Sequence, residues 1–435
     1  AVYTGIFADE CDFFTQTNYL YDNLINSWLV SRVSKETVRT NTSAPEHGTT
    51  DIKNSITYTY DSNRPHLVKS EILKPNDDGN NRFVLQTDYT YSPNTGVINK
   101  ITKKVSAPND ATVEDRRTII EYGSQYQYRF PTKTTNSMDY VSTSTYNPKF
   151  GWKLSDTDYN GFVTTYETDL FGLDDKTTLP DGTLSIASKR WSFGHSDAPQ
   201  GAMYYTWKKG TGTYPSMTFY HKTGVPLRYV SHGIDGQTIY VDREYDNKGN
   251  LYKESLPYEA GNTPDGYTTY LYDQFNRVIL TVYPDGTSDE VVYRGNEISY
   301  IHHDAGDISS QTTTKKYHPN GWLEQTTDSG GNTVKYVYNS DGSLHSSYVD
   351  GFNAPITITY NEAGLRTSIN DPDYGLMQYN YNAFGELIYQ KTPKNVITEY
   401  DYDKLSRKTH RTMKVTGSSD EITIWDYSTQ AGLLG

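Results

Sequence analysis

The sequence has one cysteine and no long apolar segment. Cys11 alone cannot form an intrachain disulfide, and one thiolate is too few for a cysteine-based metal site. No apolar run approaches the about 18 residues that a membrane helix needs, and no basic segment followed by an apolar one opens the chain. We therefore expect a protein that depends on neither disulfides nor a membrane span.

Apolar residues are also scarce. When glycine is counted instead of tyrosine, they make up roughly 32% of the chain, against about 45–50% in globular proteins. The deficit is filled by 41 tyrosines, against 13 phenylalanines, and by threonine. Aromatic and β-branched residues suit a pleated sheet that is wet on one face, and they are rare in disordered chains. The composition therefore predicts ordered β-structure without several thick hydrophobic cores.

The charge excludes nucleic acid as a general partner. The chain has 40 basic and 53 acidic residues, which give a formal net charge of −13, and the acidic residues are spread along its length. Binding to phosphate backbones requires a basic stripe, and the sequence has none. We predict no nucleic-acid partner.

Helical periodicity is nearly absent from the sequence. The segment DNLINSWL at 22–29 comes closest, but no stretch keeps a 3.6-residue period over three turns. Segments such as TITY at 357–360 and ELIY at 386–389 instead alternate with the period of two that places side chains on both faces of a strand. The predicted fold class is all-β.

A short phrase repeats every 21 or 22 residues in the C-terminal third. Tyrosine is followed by Asp, Asn or His, and glycine stands four positions after the tyrosine, as in YNSDGSL, YNEAGLR and YNAFGEL. Strands of about 5–6 residues joined by tight turns use this length for one hairpin, so we read the phrase as the start of a hairpin. The predicted structural repeat signature comprises Tyr245, Asp246, Gly249, Tyr272, Asp273, Tyr317, Gly321, Tyr338, Asn339, Gly342, Tyr360, Asn361, Gly364, Tyr381, Asn382, Gly385, Tyr402 and Asp403.

Each position of the phrase has a physical role. The Asp or Asn side chain can accept a hydrogen bond from the backbone two residues on, and the glycine permits a positive φ. Asn276 replaces this glycine in one copy and tolerates a left-handed backbone, whereas Ser406 replaces it in another and predicts a strained or differently shaped turn. The tyrosines, one per hairpin, are predicted to form a ladder of structural rungs across the strands.

In its repeated phrase, the chain resembles the RHS/YD-repeat family. The similarity is strongest over residues 219–258 and 129–161 and extends over most of the chain from residue 116 onward. It is similar to the repeat region of large bacterial chains that begin with an SpvB-type domain, including the B component of insecticidal toxin complexes, and to polymorphic toxin shells. We accordingly expect an N-terminal β segment at 1–115 and a repeat sheet at 116–435 that continues beyond both ends.

The resemblance implies tandem hairpins in a spiralling sheet that forms an RHS-type shell or part of one. Such shells enclose or present a C-terminal toxin, so the implied function is a non-enzymatic scaffold segment of a secreted or cell-surface protein. The implied partners are the rest of the same polypeptide or a toxin-complex subunit, with no cofactor. The segment NDPDYGLMQY at 370–379 is similar to the self-cleavage motif of the family, but it lies between two repeats. We assign it no cleavage.

Two other functions stay open on the sequence. One is an extracellular adhesion or glycan-binding module that uses exposed tyrosine and tryptophan. The other is a polysaccharide lyase, in which tyrosine or histidine removes the proton beside a uronate carboxylate and a cation neutralises that carboxylate. The candidate lyase residues are Tyr220, His221, Arg228, His232, Tyr300 and His302.

The densest polar segment is EVVYRGNEISYIHHDAGD at 290–307. Its histidines, His302 and His303, lie near Glu290, Glu297 and Asp304, a combination that could be imagined as a metal cluster. Adjacent residues of a strand point to opposite faces, however, and the segment lacks a spaced pair of ligands. We predict a solvated loop and no metal.

Overall fold

The structure, a computed structural model, describes residues 2–4, 13–25, 29–42, 51–75, 83–93, 95–105, 114–172, 174–352 and 354–428. In these ranges the chain forms strands with only short 3-10 turns, such as Ser124–Tyr126, which confirms the all-β prediction. Cys11 lies outside the described residues, as does the centre of the 22–29 segment, where Leu24 and Leu29 form an isolated antiparallel bridge. Among the described residues, no helix could span a membrane.

The chain divides into two compact units. Unit 1 comprises Ala1–Thr143, Tyr317–Thr326 and Asn332–Gly435, and unit 2 comprises Ser144–Lys316 and Thr327–Gly331. The predicted boundary between residues 115 and 116 adjoins residues that the structure does not describe, and it stays a prediction.

Unit 1 is built from antiparallel hairpins, most of which join strands that are consecutive in the chain. Its N-terminal strands are β1 (Val2–Thr4), β2 (Phe13–Tyr21), β3 (Val33–Thr42), β4 (Asp51–Tyr60), β5 (Val68–Lys74), β6 (Leu85–Tyr91), β7 (Ile98–Val105), β8 (Arg116–Tyr122), β9 (Pro131–Thr135) and the start of β10 (Val141–Tyr146). Its C-terminal strands are β26 (Leu323–Thr327), β27 (Thr333–Tyr338), β28 (Leu344–Val349), β29 (Ile356–Tyr360), β30 (Arg366–Asp371), β31 (Gly375–Tyr381), β32 (Leu387–Lys391), β33 (Ile397–Tyr402), β34 (Lys408–Lys414) and β35 (Glu421–Ile424).

Unit 2 continues the same hairpin pattern, with one exception. β18 pairs with both β19 and the short β20, while β19 pairs with β21. The strands are β11 (Lys153–Thr157), β12 (Val163–Thr168), β13 (Asp174–Thr178), β14 (Leu184–Trp191), β15 (Ala202–Gly210), β16 (Ser216–His221), β17 (Pro226–His232), β18 (Thr238–Tyr245), β19 (Leu251–Ser255), β20 (Tyr258–Glu259), β21 (Tyr267–Tyr272), β22 (Val278–Val282), β23 (Ser288–Arg294), β24 (Glu297–His303) and β25 (Ser310–Tyr317).

The hydrophobic core is small. The described residues include nine buried apolar side chains, and four of them form one cluster in unit 2, namely Met217, Phe219, Val230 and Tyr240. Strands β16, β17 and β18 contribute these four side chains to a single sheet face, where register pairs Met217 with Val230 and Val230 with Tyr240. Period-two alternation thus supplies the core. Most side chains elsewhere are only partly buried, as the low apolar content of the sequence indicated.

Candidate functional site

The repeated phrase forms a hairpin turn with a fixed hydrogen-bond pattern. In the copy at 381, Asn382 Oδ1 accepts hydrogen bonds from the backbone N–H groups of Phe384 (3.1 Å) and Glu386 (3.0 Å). Gly385 N donates to the carbonyl of Asn382 at 3.0 Å, with φ at 83°. This is the turn that the Asn and Gly positions predicted. In four other copies the side-chain oxygen likewise accepts hydrogen bonds from the backbone N–H groups two and four residues later. These copies have Asp246, Asp273, Asn361 and Asp403 at this position.

A β-bulge follows each of these turns, a feature that the sequence did not reveal. Tyr402 pairs with Lys408, six positions later, whereas Asp401 pairs with His410, so that Thr409 has no partner in the register. Such an extra residue bends the strand and increases its twist. The bulged position holds Tyr, Ile, His or Thr in different copies, so no single residue type marks it in the sequence. The same shift occurs at Tyr245, Tyr272, Tyr338, Tyr360 and Tyr381.

The repeat tyrosines link each hairpin to the one before it. The hydroxyl of Tyr402 donates a hydrogen bond of 2.9 Å to the backbone carbonyl of Leu387, which is the register partner of Tyr381, the preceding rung. The sequence predicted one tyrosine per hairpin but not this acceptor. The equivalent bonds are Tyr272 to Leu251 (2.7 Å), Tyr338 to Leu323 (2.9 Å), Tyr360 to Leu344 (2.9 Å), Tyr381 to Arg366 (2.9 Å) and Tyr427 to Lys408 (2.9 Å).

Burial keeps these hydroxyl groups protonated. It is the main cause that raises the pKa of Tyr338, Tyr360, Tyr381 and Tyr402 above the ordinary tyrosine value. A tyrosine with a raised pKa is a stable donor and a poor proton acceptor near neutral pH. The chemistry of the rungs therefore suits sheet construction. Their role as the structural signature of the chain stays a prediction.

Ser406 adopts the backbone conformation of the glycine that it replaces. Its φ is 63°, and its N–H donates to the carbonyl of Asp403 at 3.1 Å, as Gly385 does in the preceding copy. The turn is thus not differently shaped, although a left-handed backbone costs more for serine than for glycine. The side chain has a separate partner, since Arg116 Nη1 donates to Ser406 Oγ at 2.6 Å.

Arg116 joins strand β8 to the C-terminal turns of unit 1. Its Nη2 lies 2.7 Å from Glu386 Oε1, and its guanidinium carbon lies 3.9 Å from the centre of the Phe384 ring. The side chains of Arg116 and Glu386 are only 18% and 10% exposed, so this ion pair is largely removed from water. A residue 270 positions away in the chain therefore stabilises the turn at 381.

A cavity of about 850 Å³ lies beside Arg116. Of the five described carboxylates that line it, Glu386 is paired with Arg116, Glu399 with Lys414, and Asp403 with Arg407. The cavity is acidic in composition, but these three carboxylates are neutralised by the protein itself. It is part of the same structural network, and we assign it no ligand.

In unit 2, Arg228 organises a second polar network beside the apolar cluster. Its Nε and Nη2 donate to the two carboxylate oxygens of Asp242 at 2.5 and 2.7 Å, and the guanidinium lies 4.2 Å from the Tyr240 ring. Tyr258 OH donates to Asp242 at 2.6 Å, and Tyr240 OH donates to Asp197 at 2.6 Å. Because Asp197 lies in the 192–201 loop, the network holds this loop against the sheet.

The two tyrosines of this network do not have the character of catalytic bases. Burial, reinforced by hydrogen bonds to Asp197 and Asp242, raises the pKa of Tyr240 and Tyr258 to about 12. A general base works best when its pKa lies near the working pH. These hydroxyls instead act as donors that tie carboxylates to the sheet.

Three residues of the first group of lyase candidates, Tyr220, His221 and His232, contact separate neighbours. Tyr220 stacks on Tyr204 with the ring centres 4.9 Å apart. His221 Nδ1 lies 2.9 Å from the hydroxyl of Thr223, and His232 Nδ1 lies 2.8 Å from the carbonyl of Pro215. Of these four candidates, Arg228 is the one that takes part in the polar network described above. Their catalytic role stays a prediction.

The second group, Tyr300 and His302, lies on β24, which pairs with β23. The segment 290–307 forms most of β23 and all of β24, and Asp304 begins the turn that follows, so the expected loop is wrong for most of its length. β-branched and aromatic residues around the histidines explain the strands. Tyr300 is exposed on β24, and Lys315 Nζ lies 5.2 Å from its ring.

His302 and His303 contact different carboxylates, as alternation along a strand requires. His302 Nδ1 lies 2.7 Å from Asp289, whereas His303 lies 2.7 Å from Asp307 and 3.4 Å from Glu290. The hydrogen bond with Asp307 is the main cause that raises the pKa of His303. Across the part of the chain that the structure describes, no group of three or more His, Cys, Asp and Glu side chains could hold a metal ion.

The segment at 370–379 forms an ordinary hairpin turn between β30 and β31. Asp371 Oδ1 accepts hydrogen bonds from the N–H groups of Asp373 (2.8 Å) and Tyr374 (3.0 Å), and Gly375 has a φ of 96°. The carboxylate thus serves the turn.

The chain is similar to solved structures of Tc toxin components. No family model and no curated protein matches it. The crystal structure of TcdB2-TccC3-TEV is similar over 96% of this chain and 32% of its own, at 10% identity and a TM-score of 0.62. TcdB2-TccC3 without its hypervariable C-terminal region is similar over 96% of this chain and 32% of its own, at 11% identity and a TM-score of 0.59. The Photorhabdus luminescens Tc holotoxin pore with a mutated TccC3 is similar over 94% of this chain and 32% of its own, at 10% identity and a TM-score of 0.61.

This chain spans about a third of the length of the solved chains that it matches. At identities of 10–11% the likeness is one of fold. The RHS/YD-repeat resemblance indicated by the tyrosine phrase is thereby confirmed at that level: the chain has the antiparallel repeat-sheet fold of the Tc toxin components TcdB2-TccC3.

Proposed function

We propose that this chain is a non-enzymatic wall segment of a secreted or cell-surface RHS/YD-repeat protein that encloses or presents a toxic polypeptide. The observation that carries the proposal is the recurring bond from a repeat tyrosine to the carbonyl of the preceding hairpin, as between Tyr402 and Leu387. Bonds of this kind extend a sheet hairpin by hairpin, with little need for a core beneath it. The chain uses its most abundant aromatic residue for this purpose.

Two further observations support a wall. The described residues bury few apolar side chains, which suits a sheet whose second face borders an enclosed space. One solved protein of the same fold, TcdB2-TccC3, has a hypervariable C-terminal region that was left out of one of its crystal structures. In the proposal, residues 1–115 lead into the repeats at 116–435. The partner is the rest of the polypeptide or a toxin-complex subunit.

Limited proteolysis of the natural polypeptide that contains this chain tests the proposal. We expect the segment enclosed by the wall to be cut far more slowly than the same segment expressed alone. A triple variant should be cut faster, because it lacks three of the hydroxyl donors that join consecutive hairpins. The substitutions are Tyr360→Phe, Tyr381→Phe and Tyr402→Phe. Equal cutting rates for the enclosed and the isolated segment would contradict enclosure.

A further inference from the structure

Phenylalanine recurs immediately before the left-handed residue of a turn. The residues that follow it are Gly or Asn with φ between 61° and 83°. In unit 2 three such turns follow one another at spacings of 21 and 22 residues. The five pairs are Phe150–Gly151, Phe171–Gly172, Phe193–Gly194, Phe275–Asn276 and Phe384–Gly385.

The turn at 384 shows what such a phenylalanine binds. Arg116 lies 3.9 Å from the centre of the Phe384 ring and pairs with the carboxylate of Glu386 beside it. The cation comes from a distant segment of the chain, strand β8. A guanidinium over an aromatic face, with a carboxylate at its edge, is a favourable and specific contact.

The turn at 171 repeats the geometry of the turn at 384. Asp169 Oδ1 accepts a hydrogen bond from Phe171 N at 3.0 Å, as Asn382 Oδ1 does from Phe384 N at 3.1 Å. The glycine that follows closes each turn on the carbonyl of the same Asp or Asn, at 3.1 and 3.0 Å. The backbone therefore presents the two rings in the same way.

Phe384 is covered by Arg116, whereas Phe171 and Phe193 are open to solvent. Phe171 is 82% exposed, and Phe193, in the next turn at this end, is 100% exposed. Among the described residues, no cation lies over either ring. Lys149 lies 5.1 Å from the Phe150 ring and Arg277 lies 5.3 Å from the Phe275 ring, so the other phenylalanines of the set have a cation nearby.

The exposed rings lie along one edge of unit 2. Strands β11 to β15 pair consecutively and antiparallel, so the turns at 147–152, 169–172 and 192–201 share one end of the sheet. Alternate turns of a sheet lie roughly 10 Å apart. Phe150 stacks on Trp152 at 4.6 Å, and a Cβ added at Gly172 would lie 3.8 Å from the Trp152 ring. We call Phe150, Trp152, Phe171 and Phe193 the aromatic edge.

We propose that the aromatic edge is a docking surface for an arginine-bearing polypeptide, with guanidinium groups seated on Phe171 and Phe193 as Arg116 is seated on Phe384. Asp169 and the exposed Asp175 lie two and four positions from Phe171 in the sequence, and the net charge of −13 attracts a basic partner. The contact does not depend on whether the chain encloses a toxin.

Fluorescence anisotropy on the purified 435-residue chain tests this surface with a labelled deca-arginine peptide. We expect binding that a deca-citrulline peptide, which is neutral and of similar shape, does not reproduce. Phe171→Ala combined with Phe193→Ala should weaken binding by about 5- to 10-fold, because two cation–π contacts are lost. Ile234→Ala is the matched control, since Ile234 is 99% exposed but lies in a turn at the opposite end of the sheet.

Phe171→Leu combined with Phe193→Leu separates the ring from general apolarity and should weaken binding as much as the alanine pair. An unchanged affinity in the alanine variant would overturn the proposal. So would an equal loss in Ile234→Ala, or full affinity in the leucine variant. All the substituted side chains are exposed, and thermal unfolding of each variant checks that the fold is retained.

Discussion

The hydroxyl of Tyr402 donates a 2.9 Å hydrogen bond to the backbone carbonyl of Leu387, fifteen residues earlier in the chain. Leu387 pairs with Tyr381, and Tyr381 in turn donates to Arg366, the partner of Tyr360. Each bond thus joins the turn region of one hairpin to the next. The C-terminal repeats thus form a hydrogen-bonded series in which Tyr360, Tyr381 and Tyr402 each donate to the hairpin before them.

Removing one rung hydroxyl should destabilise unit 1. Tyr402→Phe leaves the bulk of the ring but takes the donor from the Leu387 carbonyl, and we expect a loss of about 1 kcal/mol in the free energy of unfolding. Urea denaturation measures it. Tyr400→Phe, two residues earlier on β33, is the control, and we expect it to cost less than about 0.5 kcal/mol. Equal losses would argue against the rung.

Ser406 allows the backbone and side-chain contributions of one turn to be separated. Ser406→Ala removes the hydrogen bond from Arg116 and keeps the left-handed φ of 63°, so we expect a loss of about 1 kcal/mol. Ser406→Gly removes the same bond but relieves the backbone, and it should be more stable than Ser406→Ala by about 1 kcal/mol. Denaturation midpoints of the two variants check the order. The reverse order would contradict the account of this turn.

Arg116 should be among the most sensitive positions of unit 1. Arg116→Gln leaves Glu386 without its cation in a largely buried site and uncovers Phe384, so we expect a loss of about 3 kcal/mol. The exposed pair of Lys133 and Glu121 is the comparison, and Lys133→Gln should cost less than about 0.5 kcal/mol. Thermal unfolding distinguishes the two. Similar losses of stability in the two variants would mean that the burial of the Arg116–Glu386 pair does not strengthen its contribution.

Alkaline pH should weaken unit 2 through Tyr240 and Tyr258. Their folded pKa of about 12 lies above the ordinary tyrosine value of 10.0, so the folded state holds these protons more tightly than the unfolded state. Their contribution to stability is complete below pH 10 and is lost as the pH rises from 10 towards 12. Urea denaturation measures the free energy of unfolding at pH 8 and at pH 11. We expect this free energy to fall less between the two pH values in the double variant Tyr240→Phe, Tyr258→Phe than in the unsubstituted chain. An unaltered difference would contradict this reading.

The scaffold and polysaccharide-lyase hypotheses predict different results when the chain is incubated with uronate-containing polysaccharides. If Tyr220, His221, Arg228 and His232 serve structure alone, incubation with uronate-containing polysaccharides should give no unsaturated ends and no rise in ultraviolet absorbance. Each of these side chains has its own neighbour in unit 2. A rise in ultraviolet absorbance that disappears in a folded Arg228→Ala variant would support lyase activity and contradict a purely structural role.

Local features of the fold could be predicted from the sequence. Period-two alternation gives the strands, and the Asn382 and Gly385 positions give a turn, because both signals act over a few residues. The exchange of glycine for Asn276 is equally readable, since asparagine tolerates the φ of 61° that it adopts. What these signals share is that the partner lies close in sequence.

Long-range contacts could not be predicted in this way. Arg116 and Glu386 are 270 residues apart, and nothing in either local sequence indicates the other. The loop expected at 290–307 is mostly strand because the pairing of His302 with Asp289 supplies partners that a polar composition conceals. The residue at the bulged position varies between copies, so it does not indicate the bulge in the sequence. The site in unit 2 was missed for the same reason, since Tyr240 and Asp197 are 43 residues apart.

Electron cryo-microscopy of the natural polypeptide that contains this chain tests the central claim most directly. The account predicts that the tandem hairpins form a wall one sheet thick, with density for a second polypeptide segment on its inner side. A solid particle, in which both faces of the repeat sheet pack against other layers of the same chain and no space is enclosed, would contradict it.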